Sequence, residues 1–315
     1  MISIASGFLR LIRLPNLVIT ALALWSHWFL LLRLPLDEAG IMTAFGHGSI
    51  ACLGLVFALL MGAGFIINDI YDMQIDAVNK GEKRIVGNRI TVDKAWMSFY
   101  IMLLGAALLA LVIAFYFNKT GFFWIFPVVA LLLVIYSIWL KKTAFWGNLL
   151  IAILCGSVLL IPLATESDTL ASLSVPGRYL IFKNFFICAF TGGLLTLARE
   201  LVKDIEDIPG DQAGQARTLP ILYGIGPAKT IAFLLTLSIV ILALSLMLKA
   251  QNLFWRGALI ILPGFIFPLI YVLYRLAKSN APGEFHLIAN LLKICMVSGM
   301  TLLPVYLAQD NLWNG

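Results

Sequence analysis

The sequence predicts an all-α, polytopic membrane protein with nine transmembrane helices in one bundle, forming a single domain over residues 1–315. Three observations predict it. First, 61% of the 315 residues are hydrophobic and only 12% are charged, with a mean hydropathy of +0.97, whereas soluble domains are nearer half apolar and a quarter charged. Second, nine segments approach the roughly 20 apolar residues that a spanning helix needs: 14–32, 44–67, 96–117, 122–140, 146–165, 180–200, 228–248, 256–275 and 286–308. Third, half of the sixteen acidic residues lie in two short stretches, three in Asp69–Asp76 and five in Glu200–Asp211, each closing one of those segments.

Arg10 and Arg13 precede the first apolar stretch, Leu14–Leu32. It is longer than a signal-peptide core of about 7–15 residues, so it reads as a permanent span. Pro127, Pro162, Pro263 and Pro268 fall inside or near later spans, where neighbouring helices can satisfy freed carbonyls. With the N-terminus inside, fifteen Lys and Arg residues fall on the cytoplasmic side and six outside, with Lys293 inside a span. That asymmetry predicts a cytoplasmic N-terminus and an outer C-terminus, in the cell's inner (cytoplasmic) membrane. The two longest inside loops, 68–95 and 201–227, follow the second and sixth spans. Their separation by four helices hints at a diverged duplication.

Composition also excludes readings. The formal charge of +6 comes from cations between apolar spans, not from a surface tract, so nucleic acid is no partner. Cys52, Cys155, Cys188 and Cys295 each lie in an apolar run without CxxC spacing and read as small buried hydrophobes. His27, His47 and His286 are scattered and suggest no ligand set.

The acidic stretches carry the chemistry. In Asn68-Asp69-Ile70-Tyr71-Asp72-Met73-Gln74-Ile75-Asp76, helical spacing places Asn68, Asp69, Asp72 and Asp76 within an arc of about 100°. In the second stretch Glu200, Asp204 and Asp207 share a face; Pro209-Gly210 is expected to stop the helix and leave Asp211 on a loop. Crowded carboxylates at the end of an apolar span are costly through repulsion and desolvation, and a divalent cation offsets that cost. Hard oxygen ligands with open positions suit Mg²⁺ shared with substrate phosphates. Two such clusters facing each other would clamp a diphosphate, and Lys80, Lys83, Arg84, Arg89, Arg199, Lys203 and Arg217 lie close by in sequence to neutralise its remaining charge. A cation-coupled transporter also needs intramembrane acids, but places them near the midplane on broken helices; release of pyrophosphate separates the two classes.

NDIYDMQID resembles the NDxxDxxxD motif of the UbiA-type prenyltransferases, and DIEDIPGDQAGQARTLPILYG resembles their second motif. Arg13-Leu14-Pro15-Asn16, Tyr136-Ser137, Leu140-Lys141-Lys142 and Gly147-Asn148 are similar to that family as well, over nearly the whole chain. The extended form KDIEDIPGD is similar to the family's archaeal digeranylgeranylglyceryl phosphate synthases and to homogentisate prenyltransferases, and the ether-lipid enzymes resemble it more, since NDIYD keeps Asp69 and RELVKDIEDxxGD matches throughout. The resemblance implies nine helices and Mg²⁺-dependent transfer of an isoprenoid from its diphosphate. Metal ligands would be Asn68, Asp69, Asp72, Asp76, Asp204, Asp207 and Asp211, with Asp72, Asp76, Asp207 and Asp211 catalytic. Tyr136, Lys141 and Asn148 join the seven cations above as substrate-binding residues. Tyr71 and Tyr136 could face an allylic cation, and Asn290 and Lys293 could line the cavity. The expected partners are an isoprenyl diphosphate, membrane lipid, and an acceptor that is either a prenylated glycerol phosphate or an aromatic acid of quinone biosynthesis. One departure stands out: relatives carry Asn-Lys-Pro-x-Arg-Pro after the first motif, whereas this chain reads Asn79-Lys80-Gly81-Glu82-Lys83-Arg84-Ile85.

Overall fold

The computed structural model describes residues 4–249 and 259–313. Among these residues all regular structure is helical, and the only bridge is an isolated one between Val86 and Ile90. Among the described residues seven helices are long and apolar enough to cross a membrane: Leu14–Glu38, His47–Tyr71, Val92–Tyr116, Val175–Glu206, Ile225–Lys249, Leu259–Lys278 and Pro282–Ala308. The start of the expected 256–275 span lies outside the described residues.

Two of the nine expected spans form shorter helices, Ile125–Ile138 and Trp146–Val158. Proline explains both. Pro127 lies in the first turn of Ile125–Ile138, and Pro162 opens a separate helix, Ile161–Thr165, after a break at Leu159-Leu160. A proline lacks the N–H and clashes with the carbonyl four residues back, so a segment restarts there instead of running through. Elsewhere the helix continues by widening. Phe29–Arg33 and Leu262–Ile266 are π-turns just ahead of Pro35 and Pro268, and the next N–H, of Leu34 or Phe267, donates to the carbonyl five residues back.

The described chain forms two compact units. The first comprises Met1–Trp25, Gly46–Gly147 and Pro209–Thr218. Within it His47–Tyr71 packs on Val92–Tyr116 and on Ile125–Ile138. Val92–Tyr116 buries Ala95, Ala106, Ala110 and Ala114 while Ile101, Leu104, Leu108 and Val112 stay exposed. That inversion of the soluble pattern is what lipid dictates: acyl chains are as apolar as leucine, so small residues mediate close helix approach. At Gly62 a Cβ would sit 2.3 Å from Met102 Cε.

The second unit comprises Ser26–Phe45, Asn148–Ile208 and Leu219–Gly315. Val175–Glu206 packs on Phe285–Trp313 and on Ile225–Lys249, which in turn packs on Phe267–Lys278. Gly156 lets one backbone approach another, since a Cβ there would lie 2.7 Å from the Ala189 carbonyl oxygen. A fully buried carboxylate, Glu166, is satisfied without a cation: it accepts from Ala44 N and Phe45 N at 2.8 Å each and from Thr169 Oγ1 at 3.0 Å. Those donors offset the cost of burying it.

Candidate functional site

The first acidic stretch is not one continuous helix. His47–Tyr71 ends at Asp72, whose φ of −89° and ψ of 4° break the helix before Met73–Asn79 begins. Such bridge-region angles are sparsely populated and recur at active-site residues. Asp72 N still donates to Asn68 O at 2.9 Å, so the chain turns without losing its hydrogen bond. The break changes the expected single arc into two short faces, one carrying Asn68 and Asp69 and the next Asp76.

Within the first unit each carboxylate of this turn has a cation. Asp72 is buried, accepts from Asn68 Nδ2 at 2.8 Å and is ion-paired with Lys141. Asp69, also buried, pairs with Arg13 at 2.9 Å. Arg13 has a left-handed backbone, φ 51°, and its guanidinium also lies 4.4 Å over the Phe65 ring. Asp76 pairs with Lys80 at 2.8 Å. Burial pushes the Asp76 carboxyl above the usual carboxylate range, with the Asp69 charge adding to the effect and Lys80 and Arg13 opposing it. Asn68 Oδ1 is buried and has no hydrogen-bond partner among the described residues. An oxygen of that kind is an unexplained cost unless something coordinates it.

Asp211 belongs to the same unit. The expected stop at Pro209-Gly210 is absent, because both residues lie inside a short helix, Ile208–Ala213, with proline in its first turn. Asp211 is therefore held on a helix, buried, rather than on a loop. Gly210 N donates to Asn79 Oδ1 at 2.9 Å, and a Cβ at Gly210 would fall 2.3 Å from that amide. Gly214 is pressed onto Ile75 in the same way, at 2.4 Å. Two glycines thus seat the Asp211 helix against Met73–Asn79. Arg217 N donates to Lys142 O at 2.8 Å, and the side chains of Arg217 and Lys142 are exposed. Lys83 and Arg89 are exposed and Arg84 half-buried, and among the described residues these three meet no carboxylate. Gly81, φ 53°, and Gly87, φ 82°, shape their loop in place of the two prolines of the family pattern.

The second acidic turn, in the second unit, repeats the first. Val175–Glu206 ends at Asp207 with φ −89° and ψ 3°, and Asp207 N donates to Lys203 O at 2.9 Å. Asp207 pairs with Lys203 at 3.2 Å, and Asp204 accepts from the buried Asn148 Nδ2 at 2.7 Å. Arg199 pairs with Glu200 at 2.6 Å and keeps a buried Nε without a partner among the described residues.

Among the described residues no three His, Cys, Asp or Glu side chains converge as a metal-sized cluster. The donors are nonetheless the right kind for a hard cation: carboxylates and one orphaned amide oxygen, with no thiolate or imidazole. Tyr71 packs edge-on against Trp96, ring centroids 6.3 Å apart, and Tyr136 is half-buried on Ile125–Ile138. Arg13 is more than an orientation charge and a family feature, since it pairs with Asp69, 56 residues away. His286 meets Glu206 across 80 residues. Neither contact has a local signal.

Residues 38–292 match the UbiA prenyltransferase family. The chain belongs to that family. It is a polytopic membrane prenyltransferase. Digeranylgeranylglyceryl phosphate synthase of Methanosphaera stadtmanae is 31% identical over 82% of this chain and 88% of its own. The enzyme of the same name from Saccharolobus solfataricus is 30% identical over 93% of this chain and 94% of its own. A solved digeranylgeranylglyceryl phosphate synthase superposes with a TM-score of 0.61 at 25% identity, covering 97% of this chain and 99% of the other. A UbiA homologue from Archaeoglobus fulgidus, solved with GPP and Mg²⁺, shares the fold at a TM-score of 0.57 and 17% identity over 95% of this chain and 99% of its own.

Proposed function

We propose that this UbiA-family enzyme transfers a geranylgeranyl chain from its diphosphate to a prenylated glycerol phosphate in the membrane, with Mg²⁺ as cofactor. The observation that carries the reading is the repeated acidic turn. Two long helices end on an aspartate with the same bridge-region geometry, and each is followed four residues later by a second, buried aspartate. The acceptor rests on the shared name of relatives that span most of this chain.

In this reading Asn68, Asp69, Asp72, Asp76, Asp204, Asp207 and Asp211 hold Mg²⁺, with the orphaned Asn68 oxygen as one ready donor. Bound Mg²⁺ supplies electrostatic stabilisation of the departing diphosphate. Lys141, Lys80 and Arg13 now neutralise the first turn. With the carboxylates engaged by Mg²⁺, Lys141 and Lys80 would be available to meet phosphate oxygens, together with Lys83, Arg84, Arg89, Arg199, Lys203 and Arg217. Tyr136 and Asn148 complete the substrate-binding set. The cation count on the Asn79–Arg89 loop exceeds what one metal-bound diphosphate needs, which favours an acceptor that is itself anionic.

The same reading has one domain, supported by a family match that runs through segments of both units. It has nine spans, the fourth and fifth built from proline-divided helices. It places the N-terminus and both acidic turns on the cytoplasmic side, as the Lys and Arg asymmetry favours; cysteines introduced at the exposed Glu82 and Gln212 should react with an impermeant thiol reagent from that side alone.

An aromatic acceptor is the competing reading. Purified enzyme is offered geranylgeranyl diphosphate with either geranylgeranylglycerol phosphate or 4-hydroxybenzoate, and products are identified by mass spectrometry. The expected product is the diprenylated glycerol phosphate. Prenylated 4-hydroxybenzoate with no lipid product would give the enzyme to quinone biosynthesis.

A further inference from the structure

Transfer to a hydroxyl leaves a proton that must go somewhere, and carboxylates that hold a metal ion are poor places for it. One residue before Asp207, Glu206 ends its helix and its Oε1 lies 2.6 Å from His286 Nδ1. On the other side of the ring, Asn290 Nδ2 lies 3.1 Å from His286 Nε2. His286 and Asn290 are one turn apart on Phe285–Trp313, and all three residues belong to the second unit. One tautomer satisfies the whole chain: Nδ1–H donates to the Glu206 carboxylate, and the Nε2 lone pair accepts from the Asn290 amide. That tautomer is the one a base needs, with the carboxylate behind the ring and the lone pair in front. The side chain of His286 is 68% exposed, whereas Glu206 is only 23% exposed, so the orienting carboxylate is the more shielded of the two.

We infer that His286, oriented by Glu206, is the general base that takes the proton from the acceptor hydroxyl. This rests on the glycerol phosphate reading above. The C1–O bond of the allylic diphosphate breaks and its electron pair leaves with the diphosphate. The acceptor hydroxyl oxygen displaces the Asn290 amide from Nε2, forms the new C–O bond to C1 and gives its proton to Nε2. Glu206 stabilises the imidazolium until solvent removes the proton. The pyrophosphate leaving group is the obvious competitor for that proton, and a His–Glu tether between two helix ends is the obvious structural alternative.

Glu284, in the turn before Phe285, has its carboxylate occupied by Asn280 N and Ala281 N at 2.7 and 3.0 Å. Lys203 is paired with Asp207, while Arg275 and Lys278 end the neighbouring helix. Lys293 lies two turns along the same helix. Of the acids on these elements, Glu206 alone is within hydrogen-bonding distance of the ring.

The test uses the full-length enzyme in detergent with Mg²⁺, geranylgeranyl diphosphate and geranylgeranylglycerol phosphate, comparing His286→Ala, His286→Asn and Glu206→Gln. Loss of a general base should lower kcat about 10²-fold or more in both His286 variants, with KM for either substrate nearly unchanged. Glu206→Gln should lose less. Added imidazole should restore part of the His286→Ala rate, and the acidic limb of the wild-type pH profile should vanish in both His286 variants. His286→Asn keeps a hydrogen-bonding group but no basic nitrogen, so its wild-type kcat would overturn the assignment. Equally damaging would be a loss in both variants that imidazole does not rescue and that leaves the pH limb in place, since that marks a tether. If wild-type enzyme fails to prenylate the glycerol phosphate at all, the acceptor reading falls and this base falls with it; an active wild type with unaffected His286 variants overturns the base alone.

Discussion

The two acidic turns share a backbone and differ in their surroundings. Asp72 and Asp207 both break a long helix at φ −89°, with ψ of 4° and 3°. Asp72 has only 6% of its side chain exposed and is met by Lys141, from 69 residues away, and by Asn68. Asp207 is 32% exposed and its pair with Lys203 is an ordinary i,i+4 contact on one helix. Asp72 is thus desolvated and tied by Lys141 to a distant segment, while Asp207 is wetter and pairs with Lys203 one turn back on its own helix. The same local geometry sits in two surroundings, with the Asp72 carboxylate largely out of water and the Asp207 carboxylate a third exposed. Electrostatics in a low dielectric are stronger for good and ill.

The largest expected effect is on chemistry. Asp72→Ala should lower prenyl transfer at least about 10³-fold, and Asp207→Ala about 10²-fold, or roughly 4 and 2.7 kcal/mol of transition-state stabilisation. Steady-state rates in folded, monodisperse protein check this. Equal losses would erase the distinction between the turns.

Stability sharpens the contrast. Lys141→Ala leaves a buried carboxylate without its cation and should cost about 3–5 kcal/mol in metal-free protein, whereas Lys203→Ala, at a half-exposed pair, should cost under about 1 kcal/mol. Thermal unfolding measures both, and added Mg²⁺ should recover more of the loss in Lys141→Ala. A smaller effect is expected at Gly210→Ala, where the new Cβ meets Asn79 at 2.3 Å. Displacing the Asp211 helix should cost about 1–3 kcal/mol, with activity falling further than Gly226→Ala, which has open space around it.

Much of this was legible in the sequence, and what was not has a common cause. The all-helical membrane class and seven of the nine expected spans follow from composition and spacing, because lipid leaves few ways to build a chain. The helix breaks at Asp72 and Asp207 did not follow, since neither residue is a helix breaker and helical spacing alone reads through them. Pro209-Gly210 looked like a stop but sits in the first turn of a helix, where a missing N–H costs nothing. Pro127 and Pro162 were read as tolerated inside spans and instead divide them. Contacts such as Lys141 with Asp72, Asn148 with Asp204 and Arg13 with Asp69 join residues more than 50 apart, and only the folded chain brings them together.

The smallest effect is expected on the Asn79–Arg89 loop. Arg89 is exposed and meets no carboxylate among the described residues. Arg89→Ala should raise KM for an anionic substrate about two- to fivefold, under about 1 kcal/mol, with kcat unchanged and the effect fading at high salt.

Pyrophosphate release by purified enzyme, followed against Mg²⁺ concentration with geranylgeranyl diphosphate and geranylgeranylglycerol phosphate present, addresses the acidic turns most directly. Wild-type enzyme should be silent in EDTA and recover with Mg²⁺, and Asp72→Asn and Asp207→Asn should each need more Mg²⁺ and reach a lower plateau. Undiminished turnover in chelator, or wild-type Mg²⁺ curves for both variants, would contradict the assignment of these carboxylates to metal and diphosphate.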